Sequence, residues 1–152
     1  MSSWPIGVPR GEGSGRDRWV VRVVIDGPCV HDASALLAML QVEPGAERVE
    51  ALLDGSVVST VNWAEVIQKA QARGVETRGL AEELSAAGLR ILAFDLAEAE
   101  RCGLLWADTS RFGLSLGDRA CLAAALERGL PVLTADRAWT ELDIGVTVES
   151  IR

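Results

Sequence analysis

The chain has 152 residues, of which 49% are hydrophobic and 24% charged, and its formal net charge is −7. This length is typical of one domain with its own core, and the composition excludes an intrinsically disordered chain. The acidic balance excludes a broad basic surface for nucleic acid, so a nucleic-acid phosphate would be met by a bound cation or a small arginine patch.

The sequence pattern contains neither a membrane span nor a secretory signal. No apolar run approaches the roughly 18–20 residues that cross a bilayer. Residues 1–18 carry proline, glycine and charge where a signal peptide has an apolar core. The three cysteines, Cys29, Cys102 and Cys121, show no paired spacing, which is typical of buried free thiols in a reducing compartment. We therefore expect a cytoplasmic protein that does not bind a membrane.

Residues 1–27 are predicted to form a flexible N-terminal extension, and residues 28–152 to form a single domain. Glycine and proline are frequent in residues 1–18 and leave few side chains to pack. Residues 19–25 are an apolar run that could form an edge strand, and the Gly-Pro pair that follows would end it. Deletion of residues 1–18 is expected to leave the cooperative thermal unfolding of the domain intact.

From residue 29 onward, short apolar strands alternate with helices. The predicted elements, in chain order, are strand 29–31, helices 33–41 and 46–53, strand 56–60, helices 62–74 and 77–87, strand 90–94, helix 96–107, a helix that ends at Gly129, strand 131–134, a helical turn at 138–142 and strand 146–149. The strands lack a clean polar–apolar alternation, as expected when both faces of a sheet are covered. The pattern predicts an α/β fold with a mainly parallel sheet and helices on both faces.

Four carboxylates fall where the predicted strands end. Asp32 follows the first strand, Glu65 lies about one helical turn after the second, and Asp136 comes two residues after Thr134. Asp118 lies in the first turn of a helix whose N-terminus faces the same edge. Ligands of open α/β sheets bind beyond the carboxyl ends of the strands. Because four close carboxylates repel each other without a cation, this pattern favours bound Mg²⁺ or Mn²⁺, which can activate water for an in-line phosphoryl displacement.

Each of these acids also has an ordinary structural interpretation. Asn62 and Glu65 have the spacing of a capping box. Asp118 could favour the dipole of its helix, Asp32 could cap the helix that begins after it, and Asp136 could start a turn. The four positions taken together favour a shared metal site over four separate local roles, because an acid at a buried strand end is costly without partners.

Four segments resemble successive motifs of the PIN-domain ribonucleases. They are D-A-S-A-L-L at 32–37, N-W-A-E at 62–65, L-G-D-R-A-C-L-A at 116–123 and L-T-A-D-R-A-W at 133–139. The likeness is greatest to the VapC toxins of bacterial type II toxin–antitoxin systems. It covers residues 28–152 with the motifs in family order, and it departs from the family at His31, where such strands usually carry an apolar residue.

The resemblance implies a single PIN-like domain with a parallel five-stranded sheet of order 3-2-1-4-5. It also implies a Mg²⁺-dependent endoribonuclease, a cognate VapB-like antitoxin that blocks the site, and a homodimer within a larger complex. The residues that would bind the metal and carry the catalysis are Asp32, Glu65, Asp118 and Asp136. The polar positions that would support them are Ser34, Asn62 and Thr134.

Two arginines beside the motifs, Arg119 and Arg137, are candidates for contacts to RNA phosphates, although each could instead pair with a nearby acid. Two other functions remain open from the sequence. One is a PIN-like nuclease in RNA maturation or DNA flap processing without a toxin role. The other is a non-catalytic PIN scaffold that only binds a partner, which the presence of all four acids argues against.

Overall fold

The computed structural model describes residues 4–9 and 19–152, with side chains from residue 22 onward. The strands are β1 (Trp4–Pro9), β2 (Trp19–Val24), β3 (Val30–His31), β4 (Val57–Ser59), β5 (Arg90–Leu92), β6 (Val132–Thr134) and β7 (Val148–Ser150). Strands β3 to β7 form one sheet in the order β5-β4-β3-β6-β7, and all four pairings are parallel. Numbered within that sheet, the order is 3-2-1-4-5, which confirms the prediction.

Helices cover both faces of the five-stranded sheet. They are α1 (Ala33–Leu40), α2 (Ala46–Ala51), α3 (Thr60–Ala72), α4 (Leu80–Ala86), α5 (Leu96–Leu104), α6 (Trp106–Thr109) and α7 (Leu116–Arg128), with 3-10 helices at Ser110–Phe112 and Arg137–Glu141. Among the described residues, no helix has the length and hydrophobicity needed to span a bilayer.

Two hydrophobic clusters lie on the two faces of the sheet. Successive strand residues alternate between them, so that Val58 and Leu133 pack with α1 and α3 whereas Val57 and Val132 pack with α7. This two-sided burial explains why the strands read as continuous apolar runs. The three cysteines are buried and free, as predicted.

The start of α3 differs from the prediction. The helix begins at Thr60, and the hydroxyl of Ser59 accepts a hydrogen bond from the Val61 N–H as its N-cap. Asn62 therefore lies in the first turn of the helix, and the interpretation of Asn62 with Glu65 as a capping box is wrong. The residues from Ser59 to Asn62 are mostly cap formers, so the sequence alone does not decide which of them ends the strand.

The N-terminal segment pairs with itself and then joins the domain. Strands β1 and β2 form an antiparallel pair, with Pro9 opposite Trp19, and β1 lies in the range for which the sequence predicts a flexible extension. The glycine-rich residues 10–18 lie outside the described residues. Ile25 is buried in the core, so packing against the domain begins slightly before residue 28. The division at residue 27 otherwise stays a prediction.

Candidate functional site

Asp32 lies at the carboxyl edge of the sheet, between β3 and α1, and only 3% of its surface is exposed. Its Oδ2 accepts hydrogen bonds from the hydroxyls of Ser34 at 2.6 Å and Thr134 at 3.0 Å. Its Oδ1 is buried and accepts no hydrogen bond from the part of the chain that the structure describes. The site therefore contains one carboxylate oxygen that is removed from water and lacks a protein partner.

Ser34 and Thr134 hold this carboxylate through a network that joins the start of α1 to the end of β6. The Ser34 hydroxyl accepts from the Ala135 N–H at 3.0 Å, and the Thr134 hydroxyl accepts from the Asp136 N–H at 3.1 Å. Each hydroxyl thus accepts from one backbone N–H and donates its own hydrogen to Asp32 Oδ2. Two of the three predicted supporting residues, Ser34 and Thr134, thus contact Asp32 directly.

Glu65 and Asp118 approach Asp32 from two helices that meet at Gly117. The side-chain amide of Asn62 on α3 donates to the Gly117 carbonyl at 2.8 Å. A Cβ built on Gly117 would lie 3.7 Å from the Glu65 Oε1, an ordinary contact distance, so Glu65 lies beside the N-terminus of α7. Asn62 is fully buried, and its Oδ1 has no partner among the described residues.

Asp118 has a local role that the resemblance did not indicate. Its Oδ2 accepts from the Ser115 N–H at 2.8 Å, and the Ser115 hydroxyl accepts from the Asp118 N–H at 3.1 Å, which forms a capping box at the start of α7. The pattern Ser-x-x-Asp before an apolar helix is the signal that could have identified Ser115. The capping box fixes where the Asp118 carboxylate stands.

The electrostatics show that three of the acids share one environment. The pKa of Asp32 is raised to about 6: burial is the largest cause, the charges of Asp118 and Glu65 add to it, and the hydrogen bonds from Ser34 and Thr134 act in the opposite direction. The buried thiol of Cys121 on α7 also has a raised pKa, first because of burial and then because of Asp32, Asp118 and Glu65. Asp32, Glu65 and Asp118 are therefore close enough to act on the same groups.

Asp136 stands apart from these three acids. Its side chain is exposed, and its Oδ1 accepts from the Ala138 N–H at 3.0 Å as the N-cap of the 3-10 helix. It is not among the charges that shift the pKa of Asp32, and its link to Asp32 runs through the Thr134 hydroxyl. The turn-starting role is thus present, and Asp136 marks the rim of the site.

The predicted ligands do not form a ready-made shell around one ion. Within the described residues, no three His, Cys, Asp or Glu side chains come close enough together to hold a metal. Oxygens of Asp118 and Asp136 accept backbone hydrogen bonds, and Glu65 lies 3.6 Å from Lys69 Nζ. Mg²⁺ binds through one or two carboxylates and keeps several waters. The unpartnered Asp32 Oδ1, beside two further negative charges, fits a hydrated ion of this kind.

The two arginines differ in their surroundings. Arg119 is half-buried, and its guanidinium donates to the Leu114 carbonyl at 3.0 Å, so it holds the loop before α7. Arg137 is exposed at the start of the 3-10 helix. Neither forms an ion pair with an acid among the side chains that the structure describes.

The comparisons with known proteins agree with this fold. The family model described as PIN domain matches residues 29–145. A toxin–antitoxin complex from Klebsiella pneumoniae is 23% identical, with a TM-score of 0.64, over 82% of this chain and 98% of that chain. DNA-bound VapBC from Salmonella typhimurium is 21% identical, with a TM-score of 0.64, over 84% of this chain and 100% of that chain. These likenesses show a shared fold.

A curated relative matches part of the chain. The histidine–tRNA ligase of Parasynechococcus marenigrum (strain WH8102) is 33% identical over 100 residues, which make up 65% of this chain and 22% of that protein. The chain therefore spans about a fifth of the length of the curated relative that it matches.

Proposed function

Because the chain belongs to the PIN domain family, we propose that it is a Mg²⁺-dependent endoribonuclease, the toxin of a VapBC-like type II toxin–antitoxin system. PIN domains are nucleases, and this supports a hydrolase that acts on nucleic acid. The single observation that carries the catalytic proposal is the buried Asp32 carboxylate, with one oxygen free of protein partners and with Asp118 and Glu65 within electrostatic range.

Asp32 would hold the ion directly, and Asp118 and Glu65 would reach it through bound waters. A bound Mg²⁺ or Mn²⁺ would lower the pKa of a coordinated water and neutralise charge on the scissile phosphate. Ser34 and Thr134 fix the orientation of Asp32, and Asn62 keeps α3 against the start of α7. Asp136 would act at the rim, where RNA enters.

His31 does not act as a general base in this proposal. It is fully buried, its Nε2 lies 3.1 Å from the Leu52 carbonyl, and burial lowers its pKa to about 4. A carboxylate of the site, either Glu65 or Asp118, would instead accept the proton of the attacking water.

The expected partner is a VapB-like antitoxin, in a complex that contains a homodimer of this chain in the cytoplasm. The support is the fold shared with chains crystallised as toxin–antitoxin complexes. Co-expression of the chain with a small DNA-binding protein encoded beside it tests this part. A VapB-like partner would co-purify with the chain and suppress its cleavage of RNA.

Cleavage by the purified chain tests the catalytic part. Wild-type protein is expected to cut single-stranded RNA with Mg²⁺ and to be inactive with EDTA. Asp118→Asn keeps an acceptor for the Ser115 N–H, so it is expected to fold and to lose cleavage. Asp108→Asn, at an exposed acid on α6, is the matched control and should cut normally. Cleavage by Asp118→Asn at the wild-type rate would rule out the proposed mechanism.

A further inference from the structure

A groove of about 550 Å³ lies between β2, β7 and the 3-10 helix. Three arginines line it, Arg22, Arg137 and Arg152, against one acid, Glu141. We call it the arginine groove. A local excess of positive charge is unusual in a chain with a formal net charge of −7. It is the kind of small arginine patch that an acidic protein needs if it is to meet phosphates without a broad basic surface.

The arginine groove is next to the candidate active site. Arg137 directly follows Asp136, whose backbone N–H bonds the Thr134 hydroxyl that in turn contacts Asp32. On the other wall, the N–H of Ile151 donates to the Thr134 carbonyl at 2.9 Å. Asp136, which precedes Arg137, and Ile151, which precedes Arg152, thus both bond Thr134, whose hydroxyl contacts Asp32, so the groove lies beside the candidate active site.

The donors of the groove are not all used inside the protein. Arg137 is exposed and forms no ion pair with any side chain that the structure describes. The Trp139 indole is buried in the groove wall, and its Nε1 has no acceptor in the described part of the chain. Arg152 is shared, because its guanidinium also bonds Glu43 at 2.5 Å. Arg137 is therefore the donor most available to a ligand.

Two of the three arginines come from outside the part of the chain that defines the family. The family model covers residues 29–145, whereas Arg22 precedes this region and Arg152 follows it. Ile25, which is buried in the core, and the Arg48–Glu149 ion pair attach the end of β2 to the domain, because Glu149 also accepts from the Ile25 N–H at 2.6 Å. The N-terminal segment thus supplies a wall that the matched domain lacks.

We propose that the arginine groove binds the phosphate backbone of single-stranded RNA on one side of the cleavage position, with Arg137, Arg22 and Arg152 as the phosphate contacts. This inference rests on the proposed function, because it takes the same RNA as its ligand. Guanidinium groups suit phosphates, and contacts of this kind position a strand without reading its sequence. Continuity with Asp32 favours the substrate strand over an acidic polypeptide.

The test is binding of a labelled single-stranded RNA to the full chain carrying Asp118→Asn, measured by fluorescence anisotropy over a range of salt concentrations. Adding Arg22→Ala and Arg137→Ala together should raise the Kd about tenfold and reduce the salt slope by about 0.7 for each lost phosphate contact. Arg90→Ala is the matched control, since Arg90 is exposed on β5 at the opposite edge of the sheet. It should leave both quantities unchanged.

A gain-of-binding variant guards against loss of fold. Glu141→Gln removes the acid of the groove at an exposed position, and it should tighten RNA binding about two- to threefold because local repulsion is lost. A misfolded protein would not bind more tightly. An unchanged Kd and salt slope in the double arginine variant, with an unchanged melting temperature, would overturn the assignment, and so would an unchanged Kd in Glu141→Gln.

The outcomes separate this inference from the proposed function. Cleavage by the wild-type chain with no effect of the groove variants on RNA binding would refute the groove alone. Weakened RNA binding in those variants, with no cleavage by the wild-type chain, would support the groove and refute the nuclease. If the groove variants lost binding to a polyglutamate peptide but bound RNA as before, the groove would be assigned to an acidic polypeptide and the RNA assignment would be overturned.

Discussion

Two regions of the molecule bury carboxylates in opposite ways. Glu149 on β7 and Glu98 on α5 are both buried, and each is paired with an arginine and with a backbone N–H. Asp32 is equally buried, yet no described lysine or arginine pairs with it and one of its oxygens has no donor. The charges of Glu149 and Glu98 are neutralised by arginines of the same chain, whereas the charge of Asp32 is left for a ligand to neutralise.

The largest effect is expected at Asp32 itself. Asp32→Asn should reduce RNA cleavage at least about a thousandfold, equivalent to roughly 4 kcal/mol of transition-state stabilisation. In EDTA at pH 7.5, the same change should raise the free energy of unfolding by about 1–2 kcal/mol, because a buried charge is removed while two hydroxyl donors lose part of their acceptor. Cleavage assays and urea denaturation of the same preparation measure both.

Opposite signs for activity and stability are the signature of a functional charge. As the control, Glu149→Gln should lower stability, because it leaves the Arg48 guanidinium and the Ile25 N–H without their carboxylate. If Asp32→Asn lowered stability as Glu149→Gln does, the contrast between the two regions would be lost.

Two adjacent buried residues, His31 and Asp32, should change the stability of the protein with pH in opposite directions. The pKa of Asp32 is raised to about 6, so the folded protein binds its proton more tightly, and stability is gained as pH falls from about 6 to about 4. The pKa of His31 is lowered to about 4, so the folded protein disfavours protonation of this imidazole. The full stability is therefore present above about pH 6.5, and stability is lost as pH falls from there toward 4. The two effects oppose each other in the same window.

Single variants should separate these opposing contributions. Between pH 7 and pH 4.5 in EDTA, Asp32→Asn should lose about 2 kcal/mol more stability than the wild-type chain, because the stability gained by protonating Asp32 is absent and no longer offsets the effect of His31. His31→Gln should lose less stability than the wild-type chain over the same pH range, because the loss from protonating His31 is absent. Denaturant titrations at the two pH values measure the difference, and equal pH profiles for the two variants would contradict it.

The buried ion pair of Arg48 with Glu149 is expected to stabilise the fold. Arg48→Ala should lower the free energy of unfolding by about 2 kcal/mol, because it leaves the buried Glu149 carboxylate without its cation. The side chain of Arg48 is 32% exposed, so the loss should fall below the 3–5 kcal/mol typical of fully buried pairs. Arg101→Ala, which breaks an exposed pair with Glu127, is the control and should change stability by less than about 0.5 kcal/mol. Equal losses in the two variants would contradict the assignment.

The order of the strands in the sheet is predicted by the resemblance to PIN-domain ribonucleases. The sequence pattern itself predicts that Asp32, Glu65 and Asp118 lie near one another, because parallel strands bring their carboxyl ends to one edge of the sheet. It does not predict contacts between distant residues. The bond from Asn62 to Gly117, the pair of Arg48 with Glu149 and the groove wall at Arg22 join positions that no local pattern relates. For Asp136 the sequence offers both a metal ligand and the start of a turn; the structure shows the turn-starting hydrogen bond, and the role as a metal ligand stays a prediction.

The smallest effect is expected at Lys69, whose Nζ lies 3.6 Å from the Glu65 Oε1 in a partly exposed pair one helical turn apart. Lys69→Met should change the free energy of unfolding by less than about 0.5 kcal/mol, because solvent screens such a pair. The measurement matters because Lys69 is the one described cation paired with an acid of the site. Urea denaturation in EDTA decides between two cases. A loss of several kcal/mol would mean that the site is compensated within the fold, as Glu149 is, and a negligible loss would mean that its charge is left for a bound cation.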